Sequence, residues 1–168
     1  MNPPAACRVR RFEATDAEAV AAMVAALNRE EGRDDRAVPP GAAGLRAAFL
    51  GADPAGVLLV AQADGGAGPA GYATGHATYE TEFMARGLYM GDLYVAPEHR
   101  RRGAGRALVA AMAAEARARG GRFLWWTALP GNAAGHAFYR AMGGAGEEVR
   151  AFALADAAFE RLAAAAAR

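Results

Sequence analysis

The segment from residue 92 to residue 108 constrains the fold more than any other part of the sequence. A hydrophobic strand predicted over Leu88–Val95 stops before Pro97, and a helix is predicted over Ala104–Arg119. Between them lies the run Arg100-Arg101-Arg102-Gly103. A strand that turns almost directly into a helix aims the first amide groups of the helix, and the positive end of its dipole, at one spot. The sequence therefore predicts a β-α unit with an anion-binding turn.

This turn is suited to a pyrophosphate. Gly103 and Gly105 lack side chains, so the backbone can approach phosphate oxygens closely. Arginines at positions 100, 101, 102 and 106 can each donate two hydrogen bonds to a phosphate. Cations beside the positive end of a helix dipole are unfavourable by about 0.3–1 kcal/mol each unless an anion is present. A bound anion therefore explains the arginines better than a solvated cluster does.

Two common phosphate motifs do not fit the turn. A P-loop requires Gly-Lys-Ser/Thr, and all 19 basic residues of this chain are arginine. A dinucleotide-binding fingerprint requires a third glycine, and Leu108 stands at that position. Both motifs are excluded, and the helix amino terminus itself is expected to hold the anion.

The whole chain predicts one mixed α/β domain spanning residues 1–168. Strands are predicted at 8–12, 57–61, 70–81, 88–95, 123–129 and 148–154, with a hairpin turn at 64–66. Helices are predicted at 42–50, 104–119, 132–142 and from 156 to about 168, and a first helix begins after residue 15. Thr15 and Glu18 have the form of a capping box, and Asp156 that of a cap on the last helix. Antiparallel strands come first and β-α-β units follow, which predicts a sheet with helices on both faces. The apolar run at 123–129 is typical of a central strand.

Composition excludes several functional classes. The net charge of +1 provides no field that would attract nucleic acid or an acidic membrane surface. No apolar run has the length of a membrane span or the flanks of a signal peptide, so we expect a cytoplasmic protein. Cys7 is the only cysteine, and no His, Cys and Asp spacing indicates a metal site.

Two motifs in order resemble the GNAT family of N-acetyltransferases. The first is Arg100-x-x-Gly103-x-Gly105 after a strand, which resembles the family's acyl-CoA signature. The second is Asn132, followed by Phe138-Tyr139 and then Gly143, which resembles its second conserved stretch. The resemblance covers roughly residues 8–155 and is strongest from 88 to 145. It implies a mostly antiparallel central sheet with splayed middle strands, and acetyl-CoA as co-substrate.

The resemblance also assigns roles in binding acetyl-CoA. The strand that contains Leu93 would splay from the strand at 123–129, and main-chain groups of Leu93 and Val95 would hold the pantetheine arm. An N–H near Leu93 would stabilise the oxyanion. Asn132 would hold the pantetheine or a water beside it. The predicted cofactor-binding residues are Leu93, Tyr94, Val95, Arg100, Arg101, Arg102, Gly103, Ala104, Gly105, Arg106 and Asn132.

By the same resemblance, Tyr139 is the general acid that protonates the departing thiolate, although packing beside Phe138 is the alternative interpretation. The general base is open, because Gly91 stands where polyamine acetyltransferases carry a glutamate. Asp92 is next to it but faces the other side of a regular strand. Glu80 at the end of the preceding strand, His76 on the same face, or a water relay are the other candidates. The predicted catalytic set is Tyr139, Glu80 and Asp92.

The acceptor is expected to be a primary amine, acetylated directly in a ternary complex. Gly71-Tyr72-Ala73, residues 92–95 and the acidic residues between 30 and 35 resemble the diamine and polyamine branch, although these acids also fit a solvated helix end balanced by arginines. Alternatives are a protein N-terminus, an amino acid or an aminoglycoside as acceptor, and an inactive acyl-CoA sensor. A homodimer paired through the last strands is expected, because members of this family commonly pair in that way.

Overall fold

The computed structural model describes residues 7–33, 41–62, 65 and 68–166. Its strands are β1 Arg8–Arg11, β2 Val57–Gln62, β3 Pro69–Glu80, β4 Ala85–Val95 and β5 Phe123–Trp125, and its α-helices are α1 Ala17–Glu30, α2 Ala42–Leu50, α3 Ala104–Ala118, α4 Ala133–Arg140 and α5 Asp156–Ala165. The chain forms two compact units, one up to Gly131 and one from Asn132. The first unit contains all five strands.

The five strands form one sheet in the order β1-β2-β3-β4-β5. The pairs from β1 to β4 are antiparallel, and β4 pairs with β5 in parallel. A parallel pair requires a crossover, which α3 provides between β4 and β5. The expected fold class, a mixed α/β domain with a mostly antiparallel sheet, is confirmed.

Helices cover both faces of the sheet, as predicted. A Cβ atom placed on Gly75 would lie 2.7 Å from Met112 Sδ, so this face of β3 packs against α3. Tyr72, three residues earlier, points to the opposite face, where it joins a buried cluster with Val20 of α1 and Val60 of β2. The two faces bury different layers of apolar side chains, and each large one contributes about 1.5–3 kcal/mol.

The start of α1 differs from the prediction. Thr15 is not the N-cap, because a 3-10 turn over Ala14–Asp16 precedes the helix. Asp16 accepts a hydrogen bond from the Glu13 amide at 2.8 Å and two from Arg10, at 2.6 and 2.7 Å. Asp16 thus links β1 to the helix start, a contact that a local capping motif does not reveal.

Asp16 is 4% exposed, which makes its charge the main electrostatic feature of this part of the core. Burial opposes ionisation of the carboxyl, but the hydrogen bonds from Arg10 and Glu13 and the charge of Arg10 outweigh it, and the pKa of Asp16 is lowered.

Two predicted strands at the carboxyl-terminal end are wrong in extent or existence. The strand expected at 123–129 ends at Trp125 and lies at the edge of the sheet, half-buried rather than central. Residues 144–155 have no regular structure, so the strand expected at 148–154 is absent from this described stretch. The cap position of α5 is Ala155, and Asp156 is its first residue. The hairpin turn predicted at 64–66 falls mostly outside the described residues.

We expect Asp16→Asn to lower the free energy of unfolding by about 2–3 kcal/mol at pH 7, because Arg10 loses its buried charged partner. The lowered pKa means that this stability is present above the ordinary carboxyl pKa and is lost as pH falls through the folded pKa. The difference from wild type should therefore shrink below about pH 4. Urea denaturation across pH measures it. Glu13→Gln, at a side chain that is 65% exposed, is the control and should change little; equal losses in both variants would contradict the account.

Candidate functional site

The site is built on the two unequal edges of β4. One edge pairs with β3 along nearly the whole strand, whereas the other pairs with β5 only at Gly87–Tyr89. Within the described residues, Met90–Val95 has no strand on this second side. The strands splay where the sequence predicted, between residues 93–95 and the chain that follows Trp125.

The open edge presents main-chain groups of Leu93 and Val95. The Ala96 amide donates to the Ala70 carbonyl at 3.0 Å, which fixes Ala96 as facing β3. Because peptide groups alternate along a strand, Leu93 and Val95 direct their N–H and C=O groups to the other edge. The Val95 carbonyl there accepts a hydrogen bond from Arg100 Nε at 2.8 Å. The geometry fits the main-chain role that the sequence suggested for both residues.

A β-bulge lies where this edge opens. Ala73 pairs with Leu93 and Gly75 with Met90, so Thr74 alone faces two residues of β4. A Cβ on Gly91 would lie 3.0 Å from Thr74 Oγ1, and the same oxygen is 3.2 Å from Asp92 Oδ2. The two residues therefore lie on the same side of the sheet. The expectation that Asp92 faces away from position 91 is wrong, because it assumed a regular strand.

The Asp92 carboxyl occupies a half-buried position beside Thr74. Thr74 donates its hydroxyl to the carboxylate and accepts the Asp92 amide at 2.9 Å. Burial raises the pKa of Asp92, while the hydrogen bond from Thr74 and the charge of Arg33 partly oppose the rise. A carboxylate with a raised pKa is a stronger base than an exposed one, which is the property a proton acceptor needs.

Tyr72 contributes a buried phenol on the same face. Its side chain is fully buried, and its hydroxyl has no hydrogen-bond partner among the described residues. Burial raises the pKa of Tyr72, and the charges of Asp92 and Glu31 raise it further, so the phenol stays neutral. A buried polar group without a partner is uncommon and usually marks a place where water or a ligand binds.

The anion-binding turn has the predicted form. Arg101 and Gly103 have positive φ angles of 60° and 90°, and α3 begins at Ala104. Gly103 provides no side chain to cap the helix, so the amides of Ala104 and Gly105, in the first turn of α3, have no intrahelical acceptor. Amides exposed in this way form a concave donor site for a phosphate.

The Arg100 side chain contacts groups of its own protein, whereas the sequence predicted that it would bind a phosphate. Its Nη2 lies 2.7 and 3.0 Å from the two carboxylate oxygens of Glu30, and its Cζ lies 5.5 Å from the centre of the Tyr94 ring. The Tyr94 ring is buried against Tyr72, so its side chain belongs to the core. Burial, and then the Glu30 charge, raise the pKa of Tyr94. Arg101, Arg102 and Arg106 are exposed, Gly105 is half-buried and Ala104 is buried.

Glu80 lies far from these groups. It is the last residue of β3, pairs with Ala85 and accepts a hydrogen bond from Thr78 at 2.7 Å. Six residues of strand, about 20 Å, separate it from Thr74 and hence from Asp92. His76 is exposed, with its ring 5.2 Å from that of Tyr89. The structure thus separates two carboxylates that the predicted catalytic set had grouped.

The other two predicted site residues belong to the second unit. Asn132 is the N-cap of α4, and its side-chain oxygen accepts the Gly135 amide at 2.9 Å. Tyr139 lies on α4, half-buried, with its ring 5.3 Å from that of Phe138. Asn132 therefore has a structural role as the cap of α4, and its role in binding pantetheine stays a prediction.

The described residues contain no group of three His, Cys, Asp or Glu side chains placed to hold a metal ion. None of their helices combines the length and the apolar character that a membrane span requires.

Comparison with known families assigns the chain. A profile of the acetyltransferase (GNAT) family matches residues 20–143, which is most of the sequence. This chain belongs to the GNAT acetyltransferase family. Family membership makes it an acetyl-CoA-dependent N-acetyltransferase. The open edge of β4 and the bare amino terminus of α3 fit the extended arm and the pyrophosphate of that co-substrate. Among curated proteins, no sequence matches the chain.

Solved structures share this GNAT fold at low sequence identity. An integron cassette protein of V. cholerae is 20% identical, with a TM-score of 0.71 over 94% of this chain and 97% of that one. An aminoglycoside acetyltransferase from an uncultured soil sample is 17% identical, with a TM-score of 0.70 over 89% and 95%. A transcriptional regulator from Bacillus halodurans is 21% identical, with a TM-score of 0.72 over 89% and 100%. At these identities the likeness establishes the fold.

Sequence reasoning did not predict the contacts of Thr74, Tyr72 and Glu30. The first could have been found, because a glycine inside a predicted strand often marks a bulge, and Gly91 stands inside β4. The other two depend on packing between α1 and the sheet, for which the sequence carries no local signal.

We expect Asp92→Asn to raise the free energy of unfolding by about 0.5–2 kcal/mol at pH 8, because the amide keeps the contact with Thr74 and removes a buried charge. A raised folded pKa means that the wild type loses stability as pH rises through that pKa. The gain should therefore shrink as pH falls towards the ordinary carboxyl pKa. Thermal denaturation from pH 5 to pH 8 measures it, with Asp53→Asn at an exposed site as control. A less stable variant at pH 8 would refute the burial argument.

Proposed function

We propose that this GNAT enzyme transfers the acetyl group of acetyl-CoA directly to a primary amine of a small cationic molecule, and that residues 1–168 act as one catalytic domain. The observation that carries the proposal is the open edge of β4. It is followed along the chain by a short 3-10 turn over Pro97–His99, by the turn at Arg100–Gly103 and by the amino terminus of α3. Extended main-chain donors and acceptors followed by bare helix amides match a pantetheine arm followed by a pyrophosphate.

In this proposal, main-chain groups bind most of the co-substrate. Leu93 and Val95 hydrogen-bond the pantetheine amides through the open edge. The amides of residues 101–106 bind the pyrophosphate, and the exposed Arg101 and Arg102 add positive charge. Asn132 binds near the pantetheine through the part of its amide that does not cap α4.

The chemistry requires two proton transfers around one nucleophilic attack. The amine nitrogen bonds to the thioester carbonyl carbon, and a main-chain N–H near Leu93 stabilises the oxyanion. Asp92 accepts the proton that the nitrogen loses. The carbon–sulfur bond then breaks, and Tyr139 gives its phenolic proton to the sulfur, so the products are the amide and free CoA. No acyl-enzyme forms.

Asp92 is the preferred base because of its position and its environment. The bulge turns it to the side on which position 91 also lies, beside the opening of β4. Burial raises its pKa, as a base at neutral pH requires. Glu80 lacks both features, since it lies about 20 Å along β3 and bonds Thr78.

A cationic acceptor follows from the charges near Asp92. An ammonium group can donate to the carboxylate of Asp92, which is only half-buried. Glu31 adds negative charge, since it acts on the pKa of Tyr72 as Asp92 does. A diamine or polyamine is the first candidate. An aminoglycoside is the second, supported by the aminoglycoside acetyltransferase that shares the fold.

The experiment is the release of free CoA from acetyl-CoA with four classes of acceptor: diamines and polyamines, amino acids and short peptides, aminoglycosides, and no amine. We expect turnover with a cationic small amine. Tyr139→Phe and Asp92→Asn should each lower kcat by about 100-fold or more, with the Kd for acetyl-CoA little changed. Tyr79→Phe, at an exposed tyrosine of β3, is the matched control and should be fully active.

Each other outcome has a definite meaning. Tight binding of acetyl-CoA without turnover of any amine would favour the sensor alternative. A full rate with Tyr139→Phe would remove the acid role, and a full rate with Asp92→Asn would remove the base role. Failure of the wild type to bind acetyl-CoA would refute the proposed function.

We also propose that the enzyme is a homodimer. The second unit exposes several large apolar side chains, which are Val149, Phe152, Leu154, Phe159 and Leu162. Large apolar side chains that are exposed to solvent can be buried by a second copy of the chain. Sedimentation equilibrium should give twice the mass of the chain, and Phe152→Asp should shift the equilibrium towards the monomer. A monomer at high micromolar concentration would contradict the proposal.

A further inference from the structure

Arg100, the first residue of the anion-binding turn, holds three groups of its own protein. Its Nη2 contacts both oxygens of Glu30 at 2.7 and 3.0 Å, and its Nε donates to the Val95 carbonyl at 2.8 Å. Its guanidinium lies over the Tyr94 ring, with Cζ 5.5 Å from the centre. These contacts engage Nε and Nη2, two of the three nitrogens with which Arg100 would otherwise bind a phosphate at two points.

The contact between Arg100 and Glu30 is too exposed to matter for global stability. The two side chains are 44% and 46% exposed, and ion pairs in that setting add little to folding. Its consequence is local, because Arg100 is held in one direction by an acid, a carbonyl and a ring at once. Three partners on one planar guanidinium specify its orientation more tightly than a single ion pair does.

The turn is thereby fixed at both ends. At its end, Ala104 is buried and the Ala107 amide donates to the Gly103 carbonyl at 2.9 Å. At its start, Arg100 is joined to the last residue of α1, 70 positions away in the sequence. The positive φ angles of Arg101 and Gly103 lie between these two anchors. Backbone amides bind an anion best when their directions are set in advance.

We infer that Glu30 is a positioning residue for the phosphate-binding turn, acting through Arg100. This inference rests on the proposed function, since it assumes that the turn binds the pyrophosphate of acetyl-CoA. Arg100 orients the turn, and the backbone amides with the neighbouring arginines hold the phosphates. Glu30 belongs to α1, so the helix and the co-substrate site are linked through one carboxylate.

The alternative is that Arg100 itself binds a phosphate, and it predicts the opposite effect of Glu30 on the binding of acetyl-CoA. If Arg100 left Glu30 to bind a phosphate, the carboxylate would compete with the co-substrate for the guanidinium. Removing the charge of Glu30 would then strengthen binding of acetyl-CoA. If Glu30 positions the turn, removing its charge weakens binding.

The test measures the Kd for acetyl-CoA by titration calorimetry, which needs no acceptor. We expect Glu30→Gln to raise this Kd about threefold to tenfold. Arg100→Gln should raise it at least as much, and the double variant should be no weaker than Arg100→Gln alone, because both changes break the same contact. Glu18→Gln, the same change at an exposed position near the start of α1, is the matched control and should leave the Kd unchanged.

A second readout separates positioning of the turn from a general structural defect. S-acetylpantetheine carries the acetyl arm without the nucleotide and its phosphates. Glu30→Gln should lower kcat/KM for acetyl-CoA and leave kcat/KM for S-acetylpantetheine unchanged. An equal loss with both donors, an unchanged Kd, or tighter binding of acetyl-CoA would each overturn the inference. If the wild type itself does not bind acetyl-CoA, the proposed function fails with it, and that result is distinct from the others.

Discussion

Strand β4 is bound along one edge by β3 and along the other by only three residues of β5, and the site depends on this inequality. A strand edge without a partner leaves polar main-chain groups that must bind water or a ligand. The Gly91–Asp92 bulge lies where β5 leaves, and bulges bend a strand and increase its twist. The turns at Pro97–His99 and Arg100–Gly103 connect this edge to α3, where the amides of Ala104 and Gly105 have no acceptor within the helix. The two sets of donors thus follow one another along the chain.

The bulge also determines where a carboxylate can act. In a regular strand Asp92 would lie opposite position 91, whereas two residues facing Thr74 bring both positions to one side. The carboxylate is half-buried there, and the burial that raises its pKa also costs stability when it is charged. The ionised Asp92 carboxylate therefore lowers the stability of the folded chain. Asp16 is the contrasting case, because Arg10 and the Glu13 amide together outweigh its burial and its pKa is lowered.

Elements with strong local signals were predicted well from the sequence. Helix α2 has the predicted bounds because Gly41 and Gly51 flank it, and β3 and β4 follow the apolar runs closely. The strand expected at 148–154 was wrong because a strand needs a partner edge, and no local pattern supplies one. The predicted cap at Thr15 was wrong because Arg10 of β1 hydrogen-bonds the carboxylate of Asp16. A local capping motif carries no information about a contact with another element. The turn was foreseen, but the direction of Arg100 depends on α1 and was not.

The ion pair between Arg100 and Glu30 reduces the positive charge near the amino terminus of α3 but does not eliminate it. The sequence suggested four cations at the positive end of a helix dipole, and Glu30 neutralises one of them. Arg101 and Arg102 remain exposed at the turn, so their charges still favour a bound anion. Exposed arginine side chains lose conformational freedom when they bind, whereas amides fixed by the turn lose none. In the proposed function, the backbone is therefore the specific ligand for the phosphates, and the arginines supply attraction at longer range.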